Sequence, residues 1–77
     1  MNRTIGRAYE ALALLGSHPS GLTLKEITQS LQIPKSSAFD IVQTLLGLKL
    51  AAISKANDKK YVLGSEIFSL GMLYVSN

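Results

Sequence analysis

Polar and aromatic side chains recur at helical spacing in the middle of the chain. Residues 34–47 read PKSSAFDIVQTLLG, and relative to Ser36 three further side chains stand at i+3, i+4 and i+7: Phe39, Asp40 and Gln43. Residues at these spacings share one face of a helix. Gln43 could bind an adenine edge through two hydrogen bonds, Phe39 could pack on a thymine methyl group, and Asp40 could accept from the cytosine amine. The pattern is typical of a helix that reads the major groove of DNA.

The start of the same helix carries groups that suit a phosphate. Lys35, Ser36 and Ser37 follow Pro34, which fits the first helical turn because its missing N–H is no loss there. The free amides of that turn, two hydroxyls and one ammonium could together bind the DNA backbone. The serines could equally serve only to favour the helix start.

Three of the candidate base contacts also have a structural interpretation. Phe39 could pack against the preceding helix or residues 32–33 as peripheral core. Asp40 could form a salt bridge or simply cover the helix surface, because DNA phosphates repel a carboxylate. Gln43 could be an ordinary surface residue. The sequence leaves these alternatives open.

The cations are clustered rather than spread. Lys55, Lys59 and Lys60 crowd one short segment, and Arg3 and Arg7 mark the N-terminus of a chain with net charge +3. This balance is compatible with a polyanionic partner without requiring one. The lysines could reach phosphates or the minor groove, or form a solvated turn. The arginines could contact the DNA backbone or pair with an acid on their own helix.

Three helices are predicted to position these groups. A first helix is expected over about residues 4–17, with an apolar stripe at Ile5, Ala8, Leu12 and Leu15. Thr23 and Glu26 form a capping box that starts a short second helix, which ends near residue 32. In the third helix the inward stripe is Ala38, Ile41, Leu45 and Leu48, with Val42 beside it.

Two strands and a fourth helix follow. Residues 51–54 and 60–63 are expected as short strands joined by the polar turn 55–59, and a helix is expected from residue 65 to about residue 74. The order α-α-α-β-β-α is that of a mainly α winged helix-turn-helix fold with a small β-hairpin. One such domain accounts for residues 1–77.

The chain resembles the N-terminal DNA-binding domain of the IclR family of bacterial transcriptional regulators. The matching motifs are RA at 7–8, GLTLKEI at 21–27, IPKSSA at 33–38, YVLG at 61–64 and LG at 70–71. The resemblance implies a dimeric repressor or activator whose second domain, absent from this chain, binds a small-molecule effector. Helix 4, from about residue 65, would then begin the linker. The chain departs from the family at Phe39 and Asp40, where a His-Arg-like pair is usual.

Other functional classes have little support. The chain has no cysteine and one histidine, His18, expected in an exposed loop; it has no phosphate-cradling glycine-rich loop and no metal-ligand spacing. We therefore expect no enzyme, cofactor or metal. The chain contains no apolar run of about 18 residues and no signal-peptide core at the N-terminus, so a cytoplasmic protein is expected.

Helix 4 is apolar on more than one face, with one stripe at Ile67, Leu70 and Tyr74. Because a small domain buries one side of a terminal helix, we expect the other side to meet a partner. A second copy, through helices 1 and 4, is the expected partner, and the missing effector domain is the alternative. The alternative function is a winged-helix module that docks on proteins and has no DNA partner.

Overall fold

The helices and strands follow the predicted order. A computed structural model describes residues 1–76, and its elements are α1 (Arg3–Gly16), α2 (Leu24–Leu31), α3 (Lys35–Gly47), β1 (Ala51–Ile53), β2 (Tyr61–Leu63) and α4 (Ser65–Val75). Residue 77 of the predicted domain lies outside the described residues. Three helices with a two-stranded antiparallel hairpin and a further helix form a winged helix-turn-helix, as predicted.

Side chains fix both ends of α1. The Asn2 side-chain oxygen accepts from the Ile5 N–H at 3.0 Å, so the helix begins one residue earlier than expected. At the other end the Ser17 hydroxyl donates to the Ala13 carbonyl, and Nδ1 of His18 donates to the Leu14 carbonyl at 3.0 Å. His18 is exposed, as predicted, and its ring adds a second hydrogen bond to the Leu14 carbonyl, which already accepts from the Ser17 N–H at 3.1 Å.

The predicted capping box starts α2. The Thr23 hydroxyl accepts from the Glu26 N–H at 3.2 Å, while the Glu26 carboxylate accepts from the Thr23 N–H at 2.8 Å. The helix ends where Gln32 adopts a left-handed conformation with φ 54°. Pro34 then stands at the N-cap of α3, one position before the predicted first turn, because its ψ of 149° is extended rather than helical.

A left-handed residue also ends α3. Lys49 has φ 61°, its N–H donates to the Leu46 carbonyl at 3.0 Å, and the Leu50 N–H donates to the Leu45 carbonyl at 2.9 Å. These two hydrogen bonds are the Schellman motif, which normally places glycine at the left-handed position. The motif turns the chain directly into β1.

The hairpin is shorter than predicted but keeps its register. Ala51 pairs with Leu63 and Ile53 with Tyr61, so each strand has three residues instead of four. The Ser54 N–H still donates to the Lys60 carbonyl at 2.9 Å, which extends the ladder by one bond toward the turn. The predicted turn therefore lies between the strands, and its lysines are carried by the hairpin.

A third extended segment joins the hairpin. Leu22 and Tyr61 exchange two backbone hydrogen bonds, of 3.0 and 2.7 Å, and form an antiparallel bridge. Gly21 makes this approach possible: it has φ 92°, and a Cβ there would lie 2.9 Å from the Tyr61 carbonyl oxygen. This bridge, which the sequence analysis did not predict, ties the start of α2 to the hairpin.

The core lies among the three helices and β1. Its buried side chains come from the three helices, from β1, from the bridge residue Leu22 and from the connection between α2 and α3. They are Ala11, Leu15, Leu22, Ile27, Ile33, Ala38, Ile41, Val42, Leu45 and Ala51. Ile5 and Leu48, predicted to face inward, are 68% and 56% exposed. At about 100° per residue, Leu48 lies roughly 70° around α3 from the centre of the buried stripe. Helix α4 packs on β1 and has no buried residue.

Candidate nucleic-acid interface

The outward face of α3 brings together most of the predicted base-reading residues. Ser36, Phe39 and Gln43 are exposed, and the opposite side of the helix is buried through Ala38 and Val42 among others. The core therefore fixes the rotation of α3 and determines which side chains it presents. Phe39 is 48% exposed and belongs neither to the core cluster nor to the side chains packed against it. Its ring is available on the surface beside Gln43.

The N-terminus of α3 has no side-chain cap. Pro34 makes no capping hydrogen bond, and the first helical bond is donated by the Ala38 N–H to the Pro34 carbonyl at 3.0 Å. The N–H groups of Lys35, Ser36 and Ser37 precede that bond, so they have no acceptor within the helix. Together with the positive end of the helix dipole and the exposed Lys35 side chain, they form a cationic helix end suited to an anion.

Asp40 lies at the edge of this face rather than at its centre. It lines a groove of about 460 Å³ between α1 and α3, together with Thr44, whose hydroxyl donates to the Asp40 backbone carbonyl at 2.9 Å. The other walls of the groove are mainly apolar and include the exposed Ile5 and Leu48. The groove was not predictable from the helical spacing, which places both of those residues in the interior.

The hairpin lysines do not share one environment. Lys55 and Lys59 are exposed in the turn, whereas Lys60 is half-buried. The turn is shaped by its own polar side chains, since the Asn57 side-chain oxygen accepts from the Lys59 N–H at 3.0 Å. Lys60 immediately precedes Tyr61 and lies next to the bridge to Leu22. The structure thus separates Lys60 from the two lysines at the tip.

Among residues 1–76, one ionisable group, the Glu26 carboxyl, shows a shifted pKa. Hydrogen bonding to the backbone N–H of Thr23, and then to its side chain, lowers the pKa of the Glu26 carboxyl below its ordinary value of 4.5, and the charges of Lys60 and His18 lower it further. Hydrogen bonds donated to a carboxylate stabilise its charged form. Glu26, Lys60 and His18 are therefore electrostatic neighbours at the start of α2.

The predicted N-terminal arginines lie on α1. Arg3 is the exposed first residue of the helix, and Arg7 is half-buried one turn later. Helix α1 packs against α3 and β2. Both arginines therefore belong to a helix that supports the outward face of α3 and are not part of that face.

The described part of the chain contains neither a candidate metal-ligand cluster nor a membrane-spanning helix. Across residues 1–76, no group of three or more acidic, histidine or cysteine side chains could hold a metal ion. The four helices described there are also too short and insufficiently apolar for any of them to cross a bilayer.

An exposed helix on a three-helix core, followed by a hairpin wing, defines the winged-helix class of DNA-binding domains. Within this class the chain belongs to the family of the IclR helix-turn-helix domain, whose profile matches residues 4–53. The assignment identifies a DNA-binding regulatory domain rather than an enzyme. No curated protein sequence matches the chain significantly.

Several solved structures have the same fold. An IclR transcriptional regulator from Alicyclobacillus acidocaldarius has a TM-score of 0.85 at 25% identity, over 94% of this chain and 29% of its own. HmgR from Pseudomonas aeruginosa has a TM-score of 0.82 at 19% identity, over 97% of this chain and 32% of its own. A MepR variant from S. aureus has a TM-score of 0.69 at 22% identity, over 90% of this chain and 52% of its own. The chain thus spans about a third of the length of the first two.

Proposed function

We propose that this domain binds double-stranded DNA sequence-specifically, with α3 in the major groove and the hairpin on the backbone or in the minor groove. The observation that carries the proposal is the outward face of α3. It presents Phe39 and Gln43 on the surface, and it begins at an uncapped helix end beside Lys35. Membership in a family of DNA-binding regulators supports the same function.

The proposed contacts divide into base readout and backbone positioning. Gln43 would read adenine and Phe39 a thymine methyl group. Lys35, Ser36 and Ser37 would bind a phosphate at the helix end, and Lys55, Lys59 and Arg3 would contact the backbone. Asp40, at the edge of the face and beside the α1–α3 groove, would form a salt bridge or cover the helix surface, or else accept from the cytosine amine.

A salt titration tests the DNA function directly. Each neutralised phosphate contributes a slope of about −0.9 to log K against log salt. With contacts from Lys35, Lys55, Lys59 and Arg3, affinity should fall roughly 150-fold between about 50 and 200 mM salt. Fluorescence anisotropy with a labelled duplex from the upstream region of the gene measures this. A flat response would refute DNA binding and favour the protein-docking alternative, which the exposed apolar side chains of α4 support.

Variants separate readout from positioning. Gln43→Ala should relax base preference by about 1–3 kcal/mol at one position, whereas Lys59→Ala should weaken binding to all sequences alike and reduce the salt slope by about 1. Gln29→Ala, an exposed glutamine of α2 outside the proposed interface, is the matched control and should change neither property. Equal losses from Gln43→Ala and Gln29→Ala would count against readout by α3.

We also propose that the domain functions as a homodimer through α1 and α4. Eight large apolar side chains of these helices are at least 48% exposed: Ile5, Tyr9, Phe68, Leu70, Met72, Leu73, Tyr74 and Val75. Their exposed area is on the order of 1,000 Å², compared with about 800 Å² per partner in a standard interface. A dimer would place two α3 helices on half-sites about one helical turn apart.

Sedimentation of the domain tests the dimer. Dimers are expected at high concentration, and Tyr74→Glu should shift the population to monomers because it places a charge in the proposed interface. Asp58→Asn, at an exposed position in the hairpin turn outside α1 and α4, is a control that should leave the assembly unchanged. Monomers alone at the highest attainable concentration would contradict the proposal.

The lengths of similar solved proteins support a proposal about the protein to which this domain belongs. Because regulators of this fold are about three times longer than the chain, we propose that this domain is the DNA-reading part of a longer cytoplasmic repressor or activator. A second domain would bind a small-molecule effector, and α4 would lead toward it. Effector-dependent DNA affinity of the longer protein, measured against that of residues 1–77, would test this arrangement.

A further inference from the structure

The bridge between Leu22 and Tyr61 places one lysine of the hairpin beside the start of α2. Its hydrogen bonds are short, at 3.0 and 2.7 Å, so the residues that flank it are also close. In an antiparallel pairing the residue before Tyr61, which is Lys60, lies opposite the residue after Leu22, which is Thr23. A Cβ on Gly21 would be 3.0 Å from the Cβ of Lys60, which confirms how closely the two segments approach.

A carboxylate is fixed at the same place. The Glu26 side chain accepts from the Thr23 N–H at 2.8 Å, so the capping box anchors it beside the residue that Lys60 faces. The charge of Lys60 acts on this carboxylate and contributes to lowering its pKa, as does the nearby His18, after the larger effect of the Thr23 hydrogen bonds. The tip lysines Lys55 and Lys59 have no such effect on it.

We propose that Glu26 is a positioning residue for the wing: its carboxylate attracts the Lys60 ammonium toward the start of α2 and so withholds it from DNA phosphates. The wing then contacts the backbone with Lys55 and Lys59 alone. A residue of the capping box thereby sets the strength of the wing contact. The inference rests on the proposed DNA binding, and it is tested with and without DNA.

The variant Glu26→Gln removes the charge and keeps the cap, because a glutamine at this position can still accept from the Thr23 N–H. Freed from the carboxylate, Lys60 should gain a phosphate contact. The salt slope should then steepen by about 0.9, and affinity should rise about two- to five-fold, the range of an exposed ion pair. Glu10→Gln, which removes the same charge from α1, should change affinity less and leave the slope unaltered.

Combining Glu26→Gln with a lysine substitution identifies which lysine gains the phosphate contact. Lys60→Met should have little effect in the wild type, and it should abolish the gain when combined with Glu26→Gln. Lys59→Met should weaken binding equally in both backgrounds. If Lys60→Met has the same effect with and without Glu26, or if Glu10→Gln raises affinity as much as Glu26→Gln does, the proposal is overturned.

A titration without DNA keeps this inference separable from the proposed function. The pKa of the Glu26 carboxyl, followed by NMR, should rise in Lys60→Met and stay unchanged in Lys59→Met. An unchanged value in Lys60→Met overturns the inference even if DNA binds. A rise in Lys60→Met without any salt-dependent DNA binding upholds the charge pair and refutes the proposed function.

Discussion

Gly64→Ala should be one of the most damaging small substitutions in this domain. Gly64 is the N-cap of α4 and lies against the end of α3, where its N–H donates to the Leu50 carbonyl at 2.9 Å. A Cβ at this position would overlap the Lys49 carbonyl group and stand 2.9 Å from the Ala51 backbone nitrogen. These are backbone atoms of the Schellman motif and of β1, so no flexible side chain can move aside.

The magnitude follows from that overlap. Overpacking costs about 1–3 kcal/mol, and displacing the strand would weaken at least one backbone hydrogen bond worth about 1 kcal/mol. We therefore expect a loss of about 2–4 kcal/mol in the free energy of unfolding. A domain of this size has roughly 4–12 kcal/mol in total. The melting temperature should fall by roughly 10–30 °C.

Urea unfolding followed by circular dichroism measures this effect, at one fixed protein concentration so that self-association does not contribute. Gly71→Ala is the matched control: its added Cβ meets nothing within 4 Å, and the site is inside a helix. The Gly71→Ala substitution should instead raise the free energy of unfolding by about 0.5–1 kcal/mol. A Gly64→Ala protein within about 0.5 kcal/mol of the wild type would refute the close approach of the two segments.

Three further predictions concern stability. Thr28→Val should raise the free energy of unfolding by about 1 kcal/mol in urea titrations, because the Thr28 hydroxyl is buried without a hydrogen-bond partner; Thr44→Val, at an exposed hydroxyl bonded to the Asp40 carbonyl, should bring no gain. Lys49→Gly should raise the melting temperature through a gain of about 0.5–1 kcal/mol, since φ at Lys49 is 61°, and a loss would contradict the left-handed assignment. The pKa of Glu26 is lowered in the folded state, so its contribution should be present above its ordinary pKa of 4.5 and be lost as the pH falls through the folded value. Comparing wild type with Glu26→Gln at about pH 7 and at progressively lower pH tests this: the advantage of the wild type should shrink as the pH falls below 4.5.

Local patterns in the sequence were sufficient to predict the order of the helices and strands. The capping box of Thr23 and Glu26 depends on residues three apart, and the stripe of Ala38, Ile41 and Leu45 depends on the helical period, so both predictions were confirmed. Phe39 was ambiguous for the same reason. Its type permits either core or surface, and only the packing of α2 against α3 leaves it half-exposed.

Pairing between distant segments was not predictable from local patterns. Nothing in the residues around Leu22 indicates a strand, because a single bridge has no periodicity of its own. The same holds for Leu48, whose helical spacing placed it inward although no element covers it. The groove between α1 and α3 follows from that uncovered edge, and so it too emerged only from the arrangement of the helices.

The sequence by itself determined the order of helices and strands, the family and the face of α3 that could read DNA, because these follow from residue types at short spacings. The tertiary structure decided which charges act together. Lys55 and Lys59 lie at the tip of the hairpin, whereas Lys60 lies near the start of α2. The reason is that the bridge between Leu22 and Tyr61 joins segments that are 39 positions apart in the chain. Electrostatic partnership depends on distance in space, and that distance is set by folding.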